Sequence, residues 1–244
     1  MSGSRDAARL GEELEGRLHA LSEQLPDAPD WYVAPTLYFR SGGRECTDLT
    51  LEAAFSRAAQ IGARHFLLAT TTGYTAERAY AAMQRQGWAG QLVVITEHTG
   101  YHAPGTNLFP EELRTWFRER GVVVHTATHA FSSIARSFRI RWSGIELGET
   151  VSEAFRRVSR GTKTCLEIAV MAADAGIVPP GTDVVAVGGG SRGCDTALVL
   201  NPTTMNYFFE LKVREVIALP RLRESELGVT DKGTPTGAVQ KTAG

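Results

Sequence analysis

The sequence predicts an α/β fold, a three-layer sandwich of helices on a mostly parallel sheet, and three observations predict it. From residue 36 onward, strand-like apolar runs alternate with helical patterns, as βα units do. The run TCLEIAVMAADA at 164–175 is apolar on most sides, as expected of a helix buried against a sheet, with Glu167 and Asp174 its exceptions. At 244 residues the chain is long enough for one large α/β domain whose core needs no metal or disulfide support.

An N-terminal segment, 1–34, precedes that domain. Residues 5–25 space Ala8, Leu10, Leu14, Leu18 and Leu21 roughly as a helix does amid charges, predicting an amphipathic helix that packs on the core or on a neighbouring subunit. A Pro-bearing connection, 26–35, leads into the α/β domain, 35–221. It opens with a strand at 36–39, a Gly-Gly turn and a helix at 47–62, for which Gly62 suits the C-cap. Strand 65–69 then leads to helix 75–86, strand 91–96 to helix 110–121, and strand 122–127 to a long helical region. Strand 183–187, the turn GGGSRG at 188–193, strand 196–200 and strand 213–219 complete the domain. The last unit has no intervening helix, which predicts a terminal hairpin or an antiparallel edge strand. The remainder, 222–244, is polar and rich in Thr and Gly from Glu224 onward and reads as a disordered tail.

Twenty-six Lys plus Arg against 27 Asp plus Glu leave a net charge of −1, so no global field recruits nucleic acid or an anionic membrane. An anionic ligand must be met locally. Cys46, Cys165 and Cys194 are widely spaced and odd in number, and neither a signal peptide nor an apolar run of transmembrane length is present. Those features fit a reducing cytoplasm. The N-terminal helix and the expected edge strand near 213–219 both offer surfaces for a homo-oligomer.

The most informative stretch is ATTTGYTA at 69–76, which follows an apolar strand and opens a helix. Free N–H groups at a helix N-terminus, the hydroxyls of Thr71, Thr72 and Thr75, and the close approach that Gly73 permits together suit a phosphate dianion. The strand before it places that turn at the sheet's carboxyl edge, where open α/β folds bind ligands. The alternative is an ordinary connection whose threonines cap the helix.

Two further strand ends deliver polar loops to the same edge. After Thr96 comes EHTGYHAPG at 97–105, in which Thr99, Gly100 and Tyr101 suit a ring-bearing ligand and His98 suits an acid or base near neutral pH. After the strand ending at Ala127 comes THAFSS at 128–133, which brings His129. Each side chain has a plain alternative, the satisfaction of local backbone groups. Loop spacing does not establish metal ligation by His98, His102 and His129, and no metal site is expected. The turn at 188–193 has neither the dinucleotide nor the Walker spacing and precedes a strand. Gly189 and Gly190 suit close approach of a ligand, and Arg192 suits a phosphate or carboxylate unless Asp195 holds it. Glu167 and Asp174 are either catalytic carboxylates or partners of a neighbouring backbone group or of an arginine in 136–141.

Taken together, ATTTGYTA at 69–76, VITEHTGYHAPG at 94–105, VVVHTATHAFSS at 122–133, CLEIAVMAADAGIVP at 165–179, VVAVGGGSRGCDTALVLNP at 184–202 and FFELKVREVIALPR at 208–221 resemble the stand-alone proteins similar to the C-terminal α/β domain of pyruvate kinase. The resemblance spans roughly residues 36–221. It implies a pyruvate kinase C-terminal domain-like sandwich, a phosphate site at the Thr-rich turn, and flavin mononucleotide as cofactor, since some members bind it. It implies no pyruvate kinase activity, because the eight βα units of that enzyme's barrel are missing. Glu97 stands where the family's motif has a second His, and the N-terminal helix and the tail lie outside the shared block.

Two classes of function follow as expectations. The first is a flavin mononucleotide-binding protein, with phosphate on Thr71, Thr72, Gly73 and Thr75 and the ring near 98–101 and His129, acting on a small molecule by redox or flavin-assisted chemistry. The second is a regulatory module for a phosphorylated sugar or nucleotide, which needs neither Tyr101 nor His98. A flavin-free enzyme with His98 or His129 as acid or base is a third possibility.

Overall fold

The computed structural model of the chain describes residues 2–24, 30–132, 134–190 and 193–222. The expected disordered tail falls outside the described residues from 223 onward, as does Arg192. The chain divides into two compact units, Met1–Pro35 and Thr36–Gly244. In the first, α1 (Ser2–Glu23) is a 22-residue helix. Leu14 and Leu21 on it are half exposed, and the His19 ring packs on Trp31 with centroids 4.8 Å apart.

In the second unit seven strands form one sheet: β1 (Leu37–Ser41), β2 (His65–Thr70), β3 (Gln91–Thr96), β4 (Val123–Thr126), β5 (Val184–Gly188), β6 (Thr196–Asn201) and β7 (Lys212–Leu222), in the order β1-β7-β6-β5-β2-β3-β4. Every pairing is parallel except those of β6 with β5 and with β7. The turn between β5 and β6 is too short for a crossover helix, so the chain must fold straight back there. The expectation of an edge strand near 213–219 is corrected: β7 is internal, because β1 pairs with its far side in the register Leu37↔Ala218, and the edges are β1 and β4.

Six helices occur among the described residues of this unit, α2 (Thr47–Gln60), α3 (Tyr74–Gln86), α4 (Glu111–Arg118), α5 (Ala135–Trp142), α6 (Leu147–Arg156) and α7 (Arg160–Asp174), of which α2, α3, α4 and α7 pack on the strands. Alternate residues of each central strand bury themselves on opposite faces. Phe66, Leu68, Val94 and Val187 pack with Leu51, Phe55, Ala79 and Phe117 of α2, α3 and α4, and Phe55 stacks flat on Phe66 at 3.9 Å between centroids. Leu67, Val93, Ile95 and Ala186 pack with Cys165, Leu166 and Ala169 of α7. Burial on both faces is why these strands read as unbroken apolar runs.

The local signals behave as chemistry requires. Helix α2 ends where Gly62 takes φ 64° and Ala63 N–H reaches back to the Ala58 carbonyl at 2.9 Å. Helix α7 begins at Ser159, whose hydroxyl accepts the Thr162 N–H at 2.8 Å. It sits hard on the sheet because position 161 is glycine, where a Cβ would run into the Thr196 side chain and the Gly188 carbonyl.

From β2 the chain steps outward to β3 and β4, then returns to lay β5 on the other side of β2. The reversal of strand order therefore falls between β2 and β5. Among the described residues, no helix is long and apolar enough to cross a membrane.

Candidate functional site

The carboxyl ends of β2, β3 and β4 stand at one level, because Thr70 pairs with Thr96 and Thr96 with Thr126. The Thr96 and Thr126 hydroxyls share a hydrogen bond of 2.6 Å, and Thr96 also donates to the Glu97 carbonyl at 3.0 Å. Three polar loops leave from this row.

The first loop is the Thr-rich turn. Gly73 N–H donates to Thr70 Oγ1 at 3.1 Å, and Gly73 takes φ 98° just before α3. The N-cap is Gly73 itself, which has no side chain to cap the helix, so among the described residues the opening N–H groups meet no N-cap side chain. Thr71 is half-buried and Thr72 exposed, whereas Thr75 is buried. Glycine at 73 is favoured by its backbone angle, and a Cβ there would press on the tip of the Leu113 side chain. Two arginines that sequence reasoning missed flank this helix start: Arg44 lies over the Tyr74 ring at 3.8 Å, and Arg78 lies 4.9 Å from the same ring while donating to both oxygens of Asp48 at 2.7 Å.

The second and third loops bring the aromatic and imidazole groups together. The rings of His98, Tyr101 and His129 form a triangle with centroid separations of 5.4, 5.2 and 5.1 Å. Nδ1 of His98 is buried and has no hydrogen-bond partner among the described residues. His102 joins Tyr101 edge-on and shares a 2.7 Å hydrogen bond with Glu97. Gly100 turns the loop at φ 93°, and its N–H is committed to the Thr106 carbonyl at 2.7 Å. Thr99 is exposed. From α5, the Arg136 guanidinium stacks on Tyr101 at 3.9 Å.

Behind this triangle lies α7. Lys163 and Glu167, both buried, form an ion pair, and the second oxygen of Glu167 accepts the Phe131 N–H at 3.1 Å. Burial pushes the His129 imidazole below its ordinary pKa, with Glu167 pulling it up and Lys163 pushing it down. Burial also lowers the Lys163 ammonium, against the pull of Glu167. His129 is therefore a neutral imidazole near pH 7, able to accept a proton. Of the two carboxylates expected to be catalytic or structural, Asp174 accepts the Met205 N–H at 2.9 Å, and Glu167 holds both a backbone group and a lysine. Two of the three arginines of 136–141 go elsewhere, Arg136 to Tyr101 and Arg139 to Glu149 at 2.8 Å.

The turn after β5 has its own packing reason. A Cβ at Gly189 would press on the Gly193 carbonyl and Cys194 Cα, and Gly193 takes φ 97°. Gly190 is half-buried beside it, and Arg192 lies outside the described residues. Asp195 is buried and accepts the Thr196 hydroxyl at 2.9 Å. Burial, followed by the charge of Asp195, raises the thiol pKa of Cys46 to about 11 and those of Cys165 and Cys194 further from their ordinary value. None of the three is a ready nucleophile. Among the described residues, no group of three or more His, Cys, Asp and Glu side chains could hold a metal ion.

Thr71, Thr72, Gly73, Tyr101, His98 and His129 thus share one sheet edge. The Thr-rich turn leads to α3 on one face, and His129 belongs to the loop held by α7 on the other. No family model matches the chain. Among solved structures it is similar to a pyruvate kinase from Cryptosporidium parvum, at 14% identity and a TM-score of 0.34 over 64% of this chain and 22% of that one. A second structure of a pyruvate kinase from that organism gives a TM-score of 0.29 at 14% identity, over 69% of this chain and 23% of that one. A third, in complex with ADP, gives 0.30 at 14% identity, over 80% and 26%. The chain spans about a quarter of the length of those enzymes.

Proposed function

We propose that the chain is a flavin mononucleotide-binding protein of the stand-alone group similar to the pyruvate kinase C-terminal domain, with the ligand laid across the carboxyl edge of β2, β3 and β4. The observation that carries the reading is the pairing of an uncapped helix start in a hydroxyl-rich turn with a neighbouring strand-end cluster that contains an unpartnered buried imidazole nitrogen. The donor set fits the group. Thr71, Thr72 and the first N–H groups of α3 suit the phosphate. Nδ1 of His98 suits a polar atom on the ring, and Tyr101 offers the ring an aromatic edge.

When bound, the flavin supplies electron transfer. The chain's own contribution is to orient it, to keep His129 neutral by burial so that it can take a proton from a small substrate, and to hold the 127–131 loop through Glu167. A second reading is a regulatory site for a phosphorylated sugar or nucleotide, favoured by Arg44 beside α3, which adds charge where a phosphate alone would sit.

Titration with flavin mononucleotide and with riboflavin, read by quenching of flavin fluorescence, tests both. The first reading expects the phosphorylated form to bind at least about tenfold more tightly, a difference of ~1.4 kcal/mol. Thr72→Val should erase that difference, while Tyr101→Ala should weaken both flavins. Protein that takes up neither flavin but binds a phosphorylated sugar independently of Tyr101 moves the assignment to the second reading.

A further inference from the structure

The carboxylates on the elements around the ring triangle each have a partner already. Glu97 shares its hydrogen bond with His102, Glu167 holds Lys163 and the Phe131 N–H, and Glu149 pairs with Arg139. Arg136 is left over. It is half-buried, its guanidinium lies 3.9 Å over the Tyr101 ring, and among the described residues no carboxylate pairs with it. Its one hydrogen bond, to the Tyr101 carbonyl, is 3.5 Å long and engages it weakly.

That pose leaves the donors of a carboxylate clamp free. A guanidinium carries five N–H groups in a planar fork, stacks on a ring by its flat side, and pairs with a carboxylate through two parallel hydrogen bonds. With Tyr101 against the group and at most one donor used, the fork of Arg136 keeps what such a pairing needs. The same Tyr101 ring meets His129 at 5.1 Å and His98 at 5.4 Å between centroids, so the guanidinium and both imidazoles gather on one side chain.

Charge selects the class of acid. Burial keeps His129 neutral, and Lys163 behind it is committed to Glu167. One guanidinium balances one negative charge, which suits a monocarboxylate. A phosphate dianion calls for a second cation or a helix start, and the Thr-rich turn before α3 offers the helix start instead.

We propose that Arg136 is the anchor for a small monocarboxylic acid bound against Tyr101, with His98 and His129 beside its uncharged part. The inference rests on the reading of this cluster as the place of a small substrate and names that substrate's class; it asks nothing of the flavin.

Imidazole NMR signals of His98 and His129, followed in the full chain without added flavin, test it during titration with acetate, lactate and benzoate, each beside its neutral amide. At least one acid should shift the signals saturably, and its amide should bind at least about tenfold more weakly. Arg136→Gln should weaken that acid by about tenfold or more, and Arg136→Lys should recover only part, because it restores the charge without the fork. Arg141→Gln, at an exposed position of the same helix, should change nothing. The inference is overturned by acids that leave the signals unmoved, or by acid and amide that bind alike. It is overturned too by an Arg136→Gln protein that binds the acid as the wild type does, which would make the guanidinium only a staple between α5 and the 97–105 loop. Inorganic phosphate that binds more tightly than every acid, and is lost with Arg136→Gln, overturns it in favour of a phosphate site. The comparison of acid with amide needs the wild type alone and decides should the variants fail to fold. A parallel flavin titration by fluorescence quenching separates the two readings: flavin uptake without acid binding overturns only the carboxylate, and acid binding without flavin uptake overturns only the flavin.

Discussion

Lys163 and Glu167 stand one turn apart on α7 and close a buried ion pair whose carboxylate also holds the Phe131 N–H. Removing one partner leaves the other charge in a poorly solvated site, which costs about 3–5 kcal/mol, whereas removing both leaves a packing change and a Phe131 N–H without its acceptor. Lys163→Met and Glu167→Leu should each lower the free energy of urea unfolding by about that amount, and the double variant should recover much of it. Equal losses in all three variants would mean that the pair acts through its separate packing contacts.

The same pair explains what sequence could and could not tell about the site. The KTCLE spacing at 163–167 was there to be read, but the apolar run begins at 164, with Glu167 as an exception and Lys163 outside it, and only the structure shows Lys163 returned to Glu167. The strands at 65–70 and 91–96 were legible because burial on both faces leaves an unbroken apolar run, and their order delivered His98 and Tyr101 to one edge. The interior place of β7 was not legible, since pairing with β1 joins residues far apart in sequence and leaves no local signature. Nor was the packing around Gly189 legible, where a Cβ would press on the Gly193 carbonyl, nor the positive φ that Gly73 takes before α3. Arg44 and Arg136 were missed because a guanidinium over a ring has no sequence spacing at all.

Acid should destabilise this fold before its carboxylates titrate. Burial lowers the pKa of His129, and likewise those of His65 and His125. The folded state therefore binds fewer protons than the unfolded chain below the ordinary histidine value of about 6.5. Stability is full above that value and falls as pH drops through it, down to the depressed folded pKa values. The melting temperature should decline between about pH 7.5 and pH 5.5, and His129→Gln should flatten part of the decline. A melting temperature constant over that window would contradict the burial-driven shift.

The three cysteines should be silent in the native state. Cys46, Cys165 and Cys194 are all buried, and burial with the nearby Asp195 charge keeps their thiols protonated. Only a thiolate attacks a disulfide reagent. Native protein at pH 8 should therefore react with Ellman's reagent no faster than it opens, and all three thiols should react at once in denaturant. Fast reaction at Cys46 alone would show that the β1 end of the sheet opens locally.

Gly148 lets α6 pass close to the loop that carries His129. A Cβ there would run into the Phe131 carbonyl, backbone against backbone, with no flexible side chain to give way. Phe131 is at the same time held by Glu167 through its N–H, so the loop cannot retreat without breaking a buried hydrogen bond. Gly148→Ala should therefore act on two readouts together. It should cost on the order of 1–3 kcal/mol of stability, as overpacking does, and it should shift the imidazole NMR signals of His129, two residues from the displaced carbonyl. Gly144→Ala, where added carbon meets open space, is the matched control and should move neither. Lost stability with His129 unmoved would show that α6 gives way instead of the loop, so that the loop is fixed by Glu167 alone.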